Sequence, residues 1–384
     1  MGLPFKKPVW RGFYFHRELL RNSNQSAIEN FFLKNKMPNN LNFLYFDFPS
    51  KFTRWKKGSR GVHFYYVLWQ WGAYKQVKAI HKEKPFDLVH HITFASVRQP
   101  SFMGNLGIPF IFGPVAGGEK APWRLRFRFG MRGFLLDSIR DVINFFVRFD
   151  PFMRMTFKQA DRIYVTSYQT KKLIPKGYHK KIKIKLAIGI DKKGLFDSFG
   201  EKKLNYNILY IGRFLYWKGM DIGIYAFNKL LKNEPFARLT MVGKGKEKKR
   251  WMNLVRKLKI EDRVDWIPWV DRDSISDIFN RHNILLFPSL HDSGGMVVLE
   301  AMAHGLPVVC LALGGPGIIV NTLSGKKIPV HGKSIKKIEF ELYDAIRYLL
   351  PPLSFKRYSQ GALHRAKDFT WTKLVSSIYS KPIK

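Results

Sequence analysis

The chain has 384 residues, 46% of them hydrophobic and 15% aromatic, enough for two domains of roughly 100–200 residues each and too apolar for wholesale disorder. No apolar run reaches the ~18–20 residues of a membrane-spanning helix, the basic N-terminus has neither a clean apolar segment nor a small-residue cleavage site, and a single cysteine, Cys310, leaves no disulfide framework or zinc site by count. Lys and Arg number 67 against 28 Asp and Glu, formally +39, a charge that draws nucleic acid, nucleotide phosphates or an anionic membrane face without choosing among them.

The first 42 residues contain only a short strand-like FYFHR. FLYFDFP (43–49), DLVHHITF (87–94), PFIFGPV (109–115) and DRIYVTS (161–167) then read as strands, with an aromatic-rich helix over 61–82 between the first two. His90 and His91 stand at a strand end, where a histidine serves a substrate or, more often, packing. Gly117, Gly118 and Glu119 form a turn that is either acceptor-facing or structural. The stretch 122–158 mixes arginines with large apolar groups. It reads as a membrane-surface element, or as an ordinary helix packed on its own domain with its arginines in water. IKLAIGID (184–191) closes this half, and the polar KKGLFDSFGEKK places a domain boundary near 192–204. The expected division is 1–195, 196–362, and a 363–384 tail carrying Phe369 and Trp371 that packs back across the boundary.

The second half alternates more clearly. NILYIG (207–212), LTMVGKG (239–245), RVDWIPW (263–269), NILLFPS (283–289) and PVVCLAL (307–313) read as strands. The helices between them include MDIGIYAFNKLL, EKKRWMNLVRKLK, SISDIFNR and VVLEAMAH. Short β-branched strands alternating with helices predict a parallel sheet covered on both faces, with a ligand site at the carboxyl ends of the strands. Cys310, inside the last strand, reads as a small buried filler.

Two segments carry chemistry. In FPSLHDSGGMVVLEAMAHG (287–305) an acid, Asp292, and two glycines, Gly294 and Gly295, precede a helix that starts near Met296 and carries Glu300 about one turn in. Unpaired amides at such a helix start favour an anion; Asp292 then faces a sugar hydroxyl, and Glu300 accepts from both hydroxyls of a ribose. In IGRFLYWKGMD (211–221), Arg213 and Lys218 follow a strand end, where two cations suit the developing charge of a diphosphate leaving group. No acidic metal cluster is read beside these two segments, so no metal is expected. Taken alone, either acid is explained by the helix dipole and either cation by solvation. Lys244 and Lys246 add positive potential without an expected contact.

The GRFLYWKG, MVGKGKE and PSLHDSGGMVVLEAMAHGLPVV segments, in that order and spacing, resemble the retaining GT-B glycosyltransferases of the GT4 type, whose signature is two acids separated by seven residues, here Asp292 and Glu300. The likeness covers about 205–320 and extends upstream through DLVHHITF, FGPVAGGE and ADRIYVTS, which look like the acceptor domain of bacterial polysaccharide-forming members. It implies an α/β chain with two Rossmann-like parallel-sheet domains facing a cleft. It also implies Glu300 on the nucleotide ribose, Asp292 on the donor sugar, Arg213 and Lys218 on the diphosphate, and Gly212 with the amides of Gly294, Gly295, Met296 and Val297 lining the donor. His90, His91, Gly117, Gly118 and Glu119 are then acceptor-side candidates, and no cofactor or metal is required. Three departures stand out: Asp292 where the family usually has Glu, Gly113 and Pro114 where a histidine often ends the strand, and no first strand–glycine loop–helix unit. The expected activity is transfer of a sugar from a UDP- or GDP-sugar to a saccharide or lipid-linked saccharide in cell-surface polysaccharide synthesis, in the cytoplasm or peripherally on the anionic inner membrane face. The rival readings are a truncated GT-B pseudoenzyme that binds nucleotide or membrane without turnover, and a nucleic-acid binder, which only the charge suggests.

Overall fold

The computed structural model describes residues 12–17, 23–37, 39–49, 61–92, 94–191, 205–268, 270–271 and 274–380. Two compact units divide the chain, Met1–His91 with Gln99–Phe110 and Ile92–Arg98 with Ile111–Lys384. The boundary expected near 192–204 lies outside the described residues.

In the first unit, β1 (Gly12–Arg17), α1 (Ser23–Lys34) and β2 (Leu41–Phe46) follow in order, and the two strands pair in parallel from Gly12–Leu41 to Arg17–Phe46. A parallel pair needs a crossover, and α1 supplies it. The first β-loop-α unit, expected to be missing, is therefore present. It escapes notice because the first half of α1 (SNQSAIENFFLK) is polar and the connection before it (residues 18–22, outside the described residues) contains no glycine. The next helix, α2 (Val62–Glu83), buries Tyr65, Tyr66, Trp69, Ala73 and Val77 at helical spacing. Trp69 Nε1 donates to the Phe46 carbonyl at 2.7 Å. Gly72 lets the helix approach, since a Cβ there would lie 2.5 Å from the Phe46 ring and 2.8 Å from that of Phe48. The short β3 (Val89–His91) follows.

The second unit contains two parallel arrays. In one, β4 (Phe110–Val115), β5 (Arg162–Val165) and β6 (Ile182–Ile184) pair side by side. Between β4 and β5 run α3 (Trp123–Arg126), α4 (Gly130–Phe146) and α5 (Pro151–Gln159); α6 (Tyr168–Leu173) follows β5. Asp150 caps α5 by accepting from Met153 N at 2.9 Å, with Pro151 in the first turn.

The other array runs β7 (Asn207–Ile211), α7 (Met220–Leu230), β8 (Arg238–Val242), α8 (Lys248–Lys257), β9 (Val264–Ile267), α9 (Ile275–Asn280), β10 (Ile284–Phe287), α10 (Met296–Ala303), β11 (Val308–Leu311), α11 (Gly314–Ile319), β12 (Gly325–Ile328), α12 (Ile335–Leu349), α13 (Pro352–Ala366) and α14 (Trp371–Tyr379). Its six strands lie in the order β12-β11-β10-β7-β8-β9. The central strands are apolar runs buried on both faces, Ile208, Leu209, Leu285, Val308 and Val309 all being inaccessible, as helices on both sides of a parallel sheet require. Cys310 shares this core, where burial pushes its thiol up to about 12. The tail returns to the first array. Ile190 N donates to the Phe369 carbonyl at 2.9 Å, and the Ile378 carbonyl on α14 accepts from Tyr164 Oη at 3.3 Å.

The helix α4 is turned inside out. Gly133, Asp137 and Asn144 face inward and are buried, while Met131, Leu135, Ile139, Val142 and Phe146, at helical spacing on the other side, are exposed. The ordinary-helix reading of 122–158, with arginines in water, fails for Arg126 and Arg140: both turn inward, and Arg126 is 4% exposed.

Candidate functional site

The order of the six-stranded sheet reverses at β7, which leads by chain to β8 on one side and lies beside β10 on the other. At such a switch point the loops leaving two adjacent strands diverge, and the crevice between them is where ligands bind in open parallel sheets. The loops after β7 and β10 carry Arg213, Lys218, Asp292 and the start of α10.

From β7, Gly212 N bonds the Val242 carbonyl at 3.0 Å. Gly243 lies so close to the Gly212 carbonyl that a Cβ there would strike it. The following loop leaves Arg213 exposed, and among the described residues it makes no ion pair. A single helical turn then carries Lys218 inward to 9% exposure. Gly219 (φ +66°) starts α7 against the Pro288 carbonyl, which a side chain would hit. This contact sets the β7 loop on the β10 loop.

From β10, Asp292 meets Lys218: Nζ donates to Oδ2 at 2.5 Å, with the ammonium also 4.9 Å from the Phe287 ring centroid. The other carboxylate oxygen, Oδ1, accepts from Gly294 N at 3.2 Å and Gly295 N at 2.7 Å. The structure thus departs from the sequence expectation at one point. The amides of Gly294 and Gly295, assigned to the donor, hold the protein's own carboxylate, because the short aspartate side chain folds back on its loop. Met296 and Val297 stay ahead of the first intrahelical bond of α10, Leu299 N to Gly295 O at 3.1 Å, so their amides and the positive end of the helix dipole remain to serve an anion. Glu300 lies in the second turn, half-buried, its carbonyl taken by His304 Nδ1 at 2.8 Å.

Electrostatics ties the two loops to one point. Tyr210, on β7, has its hydroxyl pKa raised well above the usual value, first by burial and then by the Asp292 charge, with Arg213 opposing. The phenol therefore senses the acid of one loop and the arginine of the other. Its hydroxyl donates to the Arg213 carbonyl at 3.2 Å, fixing the base of that loop. Lys244 and Lys246 stand exposed after β8.

The acceptor-side candidates separate. Glu119 is buried, and both its oxygens are used: Oε1 accepts from Ser167 Oγ at 2.8 Å and from Thr166 Oγ1 and Thr170 Oγ1, both at 3.1 Å, while Oε2 accepts from Gly117 N at 2.9 Å. Gly118 N donates to Thr170 Oγ1 at 3.2 Å. These bonds bind the 117–119 turn to the start of α6 and spend its carboxylate on structure. His91, in the first unit, is buried with Nε2 3.4 Å from Tyr66 Oη, which also accepts from Gln70 Nε2 at 2.9 Å; His90 precedes it on β3.

Sequence reasoning missed the cluster that braces the loop after β10. Asp137 on α4, 1% exposed, accepts from His291 Nε2 at 3.0 Å and pairs with Arg126 and Arg140, each at 3.3 Å. Arg140 also lies 3.1 Å from His291 Nε2 and donates to the Glu119 carbonyl at 3.0 Å. Burial alone would raise the Asp137 carboxyl, but the His291 hydrogen bond and the two arginines outweigh it and hold the pKa low. Burial, helped by the arginines, lowers His291 against the pull of Asp137. His291 immediately precedes Asp292, so α4 grips the catalytic candidate by its neighbour. The partners are 154 residues apart, and no local signal connects them.

Residues 191–342 match the family described as Glycosyl transferases group 1. A D-inositol 3-phosphate glycosyltransferase of Streptomyces bingchenggensis is 30% identical over 179 residues, 44% of this chain and 38% of that protein. The chain thus matches less than half the length of this curated relative. Among solved structures, the sucrose-phosphate synthase of Thermosynechococcus elongatus superposes with a TM-score of 0.60 over 90% of this chain and 83% of that one, at 17% identity. Anabaena HepE, solved with UDP, gives 0.57 over 92% and 88%, at 14% identity. The chain is built of parallel-sheet α/β domains with GT-B glycosyltransferases as structural neighbours, and it is over residues 191–342 that it is similar to the group 1 glycosyltransferases.

Proposed function

We propose that the protein is a retaining glycosyltransferase that moves a hexose-type residue from a UDP- or GDP-sugar to a saccharide or lipid-linked saccharide in cell-surface polysaccharide synthesis. The observation that carries this reading is the convergence of Arg213, Lys218, Asp292 and the α10 start at the switch point between β7 and β10. Arg213, unpaired by any described carboxylate, and Lys218 take the diphosphate, and the Met296 and Val297 amides support it. Glu300 takes the ribose hydroxyls, and Asp292 the donor sugar. As the C1–phosphate bond breaks, the acceptor oxygen bonds C1 from the same face and its proton passes to the departing phosphate oxygen. The cations stabilise charge that develops only then, which is where binding energy accelerates the step. No metal has a part in this scheme. Neighbours such as Anabaena HepE, solved with UDP, favour a uridine donor.

The +39 charge supports a site of action on the anionic inner face of the cytoplasmic membrane. The pseudoenzyme reading loses its main ground, because the β1–α1–β2 unit is present. A thermal-shift panel with UDP, GDP, ADP and their sugar conjugates tests the assignment. One nucleotide at ~100 times its Kd stabilises the native state by about 2.7 kcal/mol, and Arg213→Ala removes the shift. No shift with any nucleotide refutes the donor site.

A further inference from the structure

Thirteen of the 29 exposed large hydrophobic side chains among the described residues fall between Trp123 and Phe152. They cover the outer side of α4 and its flanks, Met131 being 90% exposed. The same stretch is strongly cationic. Over the slightly wider window 121–160, eight residues are Lys or Arg and three are acids, and none of the acids faces out freely. Asp137 is buried, Asp141 pairs with Arg126 at 2.7 Å and Lys120 at 3.0 Å, and Asp150 caps α5. Arg124, Arg132, Arg148 and Arg154 are exposed around the apolar face. An apolar stripe rimmed by arginines fits the boundary between headgroups and acyl chains. No helix among the described residues is long and apolar enough to cross a membrane.

A pocket of about 450 Å³ opens at the C-terminal end of α4, lined by Arg98, Ile143, Phe146, Val147, Phe149 and Asp150. Arg98 makes no ion pair among the described residues, and its buried Nε has no hydrogen-bond partner. The nearby carboxylate, Glu119, is already saturated, and Arg140 adds a like charge. An anion would compensate a half-buried cation so left. A phosphate with apolar chains attached suits both the arginine and the aromatic rim.

We propose that the outer face of α4 seats on an anionic phospholipid surface and that the Arg98 pocket takes a lipid phosphate. The inner face of the same helix holds the donor loop through Asp137 and His291, and the 117–119 turn through Asn144, whose Nδ2 donates to the Gly117 carbonyl at 3.0 Å. One helix diameter, ~10 Å, then separates the lipid surface from the groups that position the donor loop, and the acceptor is one carried on lipid. Only this last step rests on the glycosyltransferase reading.

The test is co-sedimentation of the full chain with vesicles of phosphatidylcholine alone and of phosphatidylcholine with phosphatidylglycerol. It compares wild type, Leu135→Glu/Val142→Glu, and Arg98→Gln, each with its melting temperature and UDP-induced shift recorded. Wild type binds the anionic vesicles at least tenfold more tightly, the double variant loses binding with its melting temperature unchanged, and Arg98→Gln weakens it several-fold. Equal binding to both vesicles overturns the proposal, as does full binding by the double variant. Competition by inorganic phosphate as effective as vesicles makes the Arg98 pocket a free-phosphate site. A dimer that the double variant abolishes, without vesicle binding, makes a second copy the occupant. A UDP shift without vesicle binding sinks the seat and leaves the donor site standing.

Discussion

Asp137→Asn probes the brace on the loop after β10. Asparagine keeps the shape of the side chain and removes its charge, leaving Arg126, Arg140 and His291 around a neutral group. Arg126 retains Asp141 at 2.7 Å, so one partner is lost rather than all. Removing one member of a buried ion pair costs about 3–5 kcal/mol, and the surviving bridge puts the expectation at the lower end, ~3 kcal/mol. With an unfolding entropy near 2.1 cal/mol/K per residue over a unit of roughly 280 residues, the midpoint falls by about 5 °C. Circular-dichroism melts at pH 7.5 read this directly. The double mutant with His291→Gln should show a coupling energy of about 0.5–3 kcal/mol, because the two side chains share one hydrogen bond. The UDP-induced shift should shrink in both single variants, since the loop that carries Asp292 loses its fixed neighbour. A drop of under about 1 °C, or strict additivity in the cycle, would refute the brace.

Lys218→Ala removes the Nζ that holds Asp292 and is expected to weaken nucleotide diphosphate binding at least tenfold, about 1.4 kcal/mol, by isothermal titration; unchanged affinity would leave Arg213 as the sole diphosphate cation. Gly219→Ala combines a φ of +66° with a clash on the Pro288 carbonyl and should destabilise by about 2 kcal/mol or more, visible as a lower denaturant midpoint. Stability should decline on acidification below about pH 6.5. The unfolded His291 takes its proton there while the folded one, lowered by burial, resists it, so the unfolded state binds more protons. His291→Gln should flatten that limb, and an equally steep slope in the variant would assign it to other groups. Cys310, buried and with its thiol pushed up to about 12, should react with a thiol reagent only after unfolding.

The second array was legible because its strands are buried on both faces. Such strands appear as apolar runs between glycine turns, and NILYIG, LTMVGKG and PVVCLAL each fall on a strand of the sheet. The expected strands end at Leu313. The edge strand β12 (GKKI) has no apolar run to announce it, and α12 and α13 lie beyond it. Adjacency of the β7 and β10 loops is what the reversal of strand order at β7 imposes. The Lys218–Asp292 pair was not legible, because spacing brings two loops together without saying which charge each side chain will choose. Asp292 is one methylene shorter than glutamate, and that turns its carboxylate onto the amides of Gly294 and Gly295. Glu119 illustrates the converse: an acid beside two glycines suggests a substrate turn, yet three hydroxyls from 166–170 claim it.

For α4 the periodicity was visible and its direction was not. Gly133, Asp137, Arg140 and Asn144 share one side, and Met131, Leu135, Ile139, Val142 and Phe146 the other; sequence alone normally sends the second set inward. The inversion depends on groups far along the chain, above all His291, which make a buried Asp137 tolerable. Fully burying an aliphatic or aromatic side chain contributes roughly 1.5–3 kcal/mol, so Met131, which is almost wholly exposed, and the four others, which are about half exposed, together forgo on the order of 5 kcal/mol. That is comparable to the whole net stability of a typical domain. A fold that leaves this much apolar surface on one helix, with uncompensated arginines around it, gains most when an amphiphilic surface covers it. The same helix, through Asp137 and His291, then fixes where the loop after β10 stands relative to that surface.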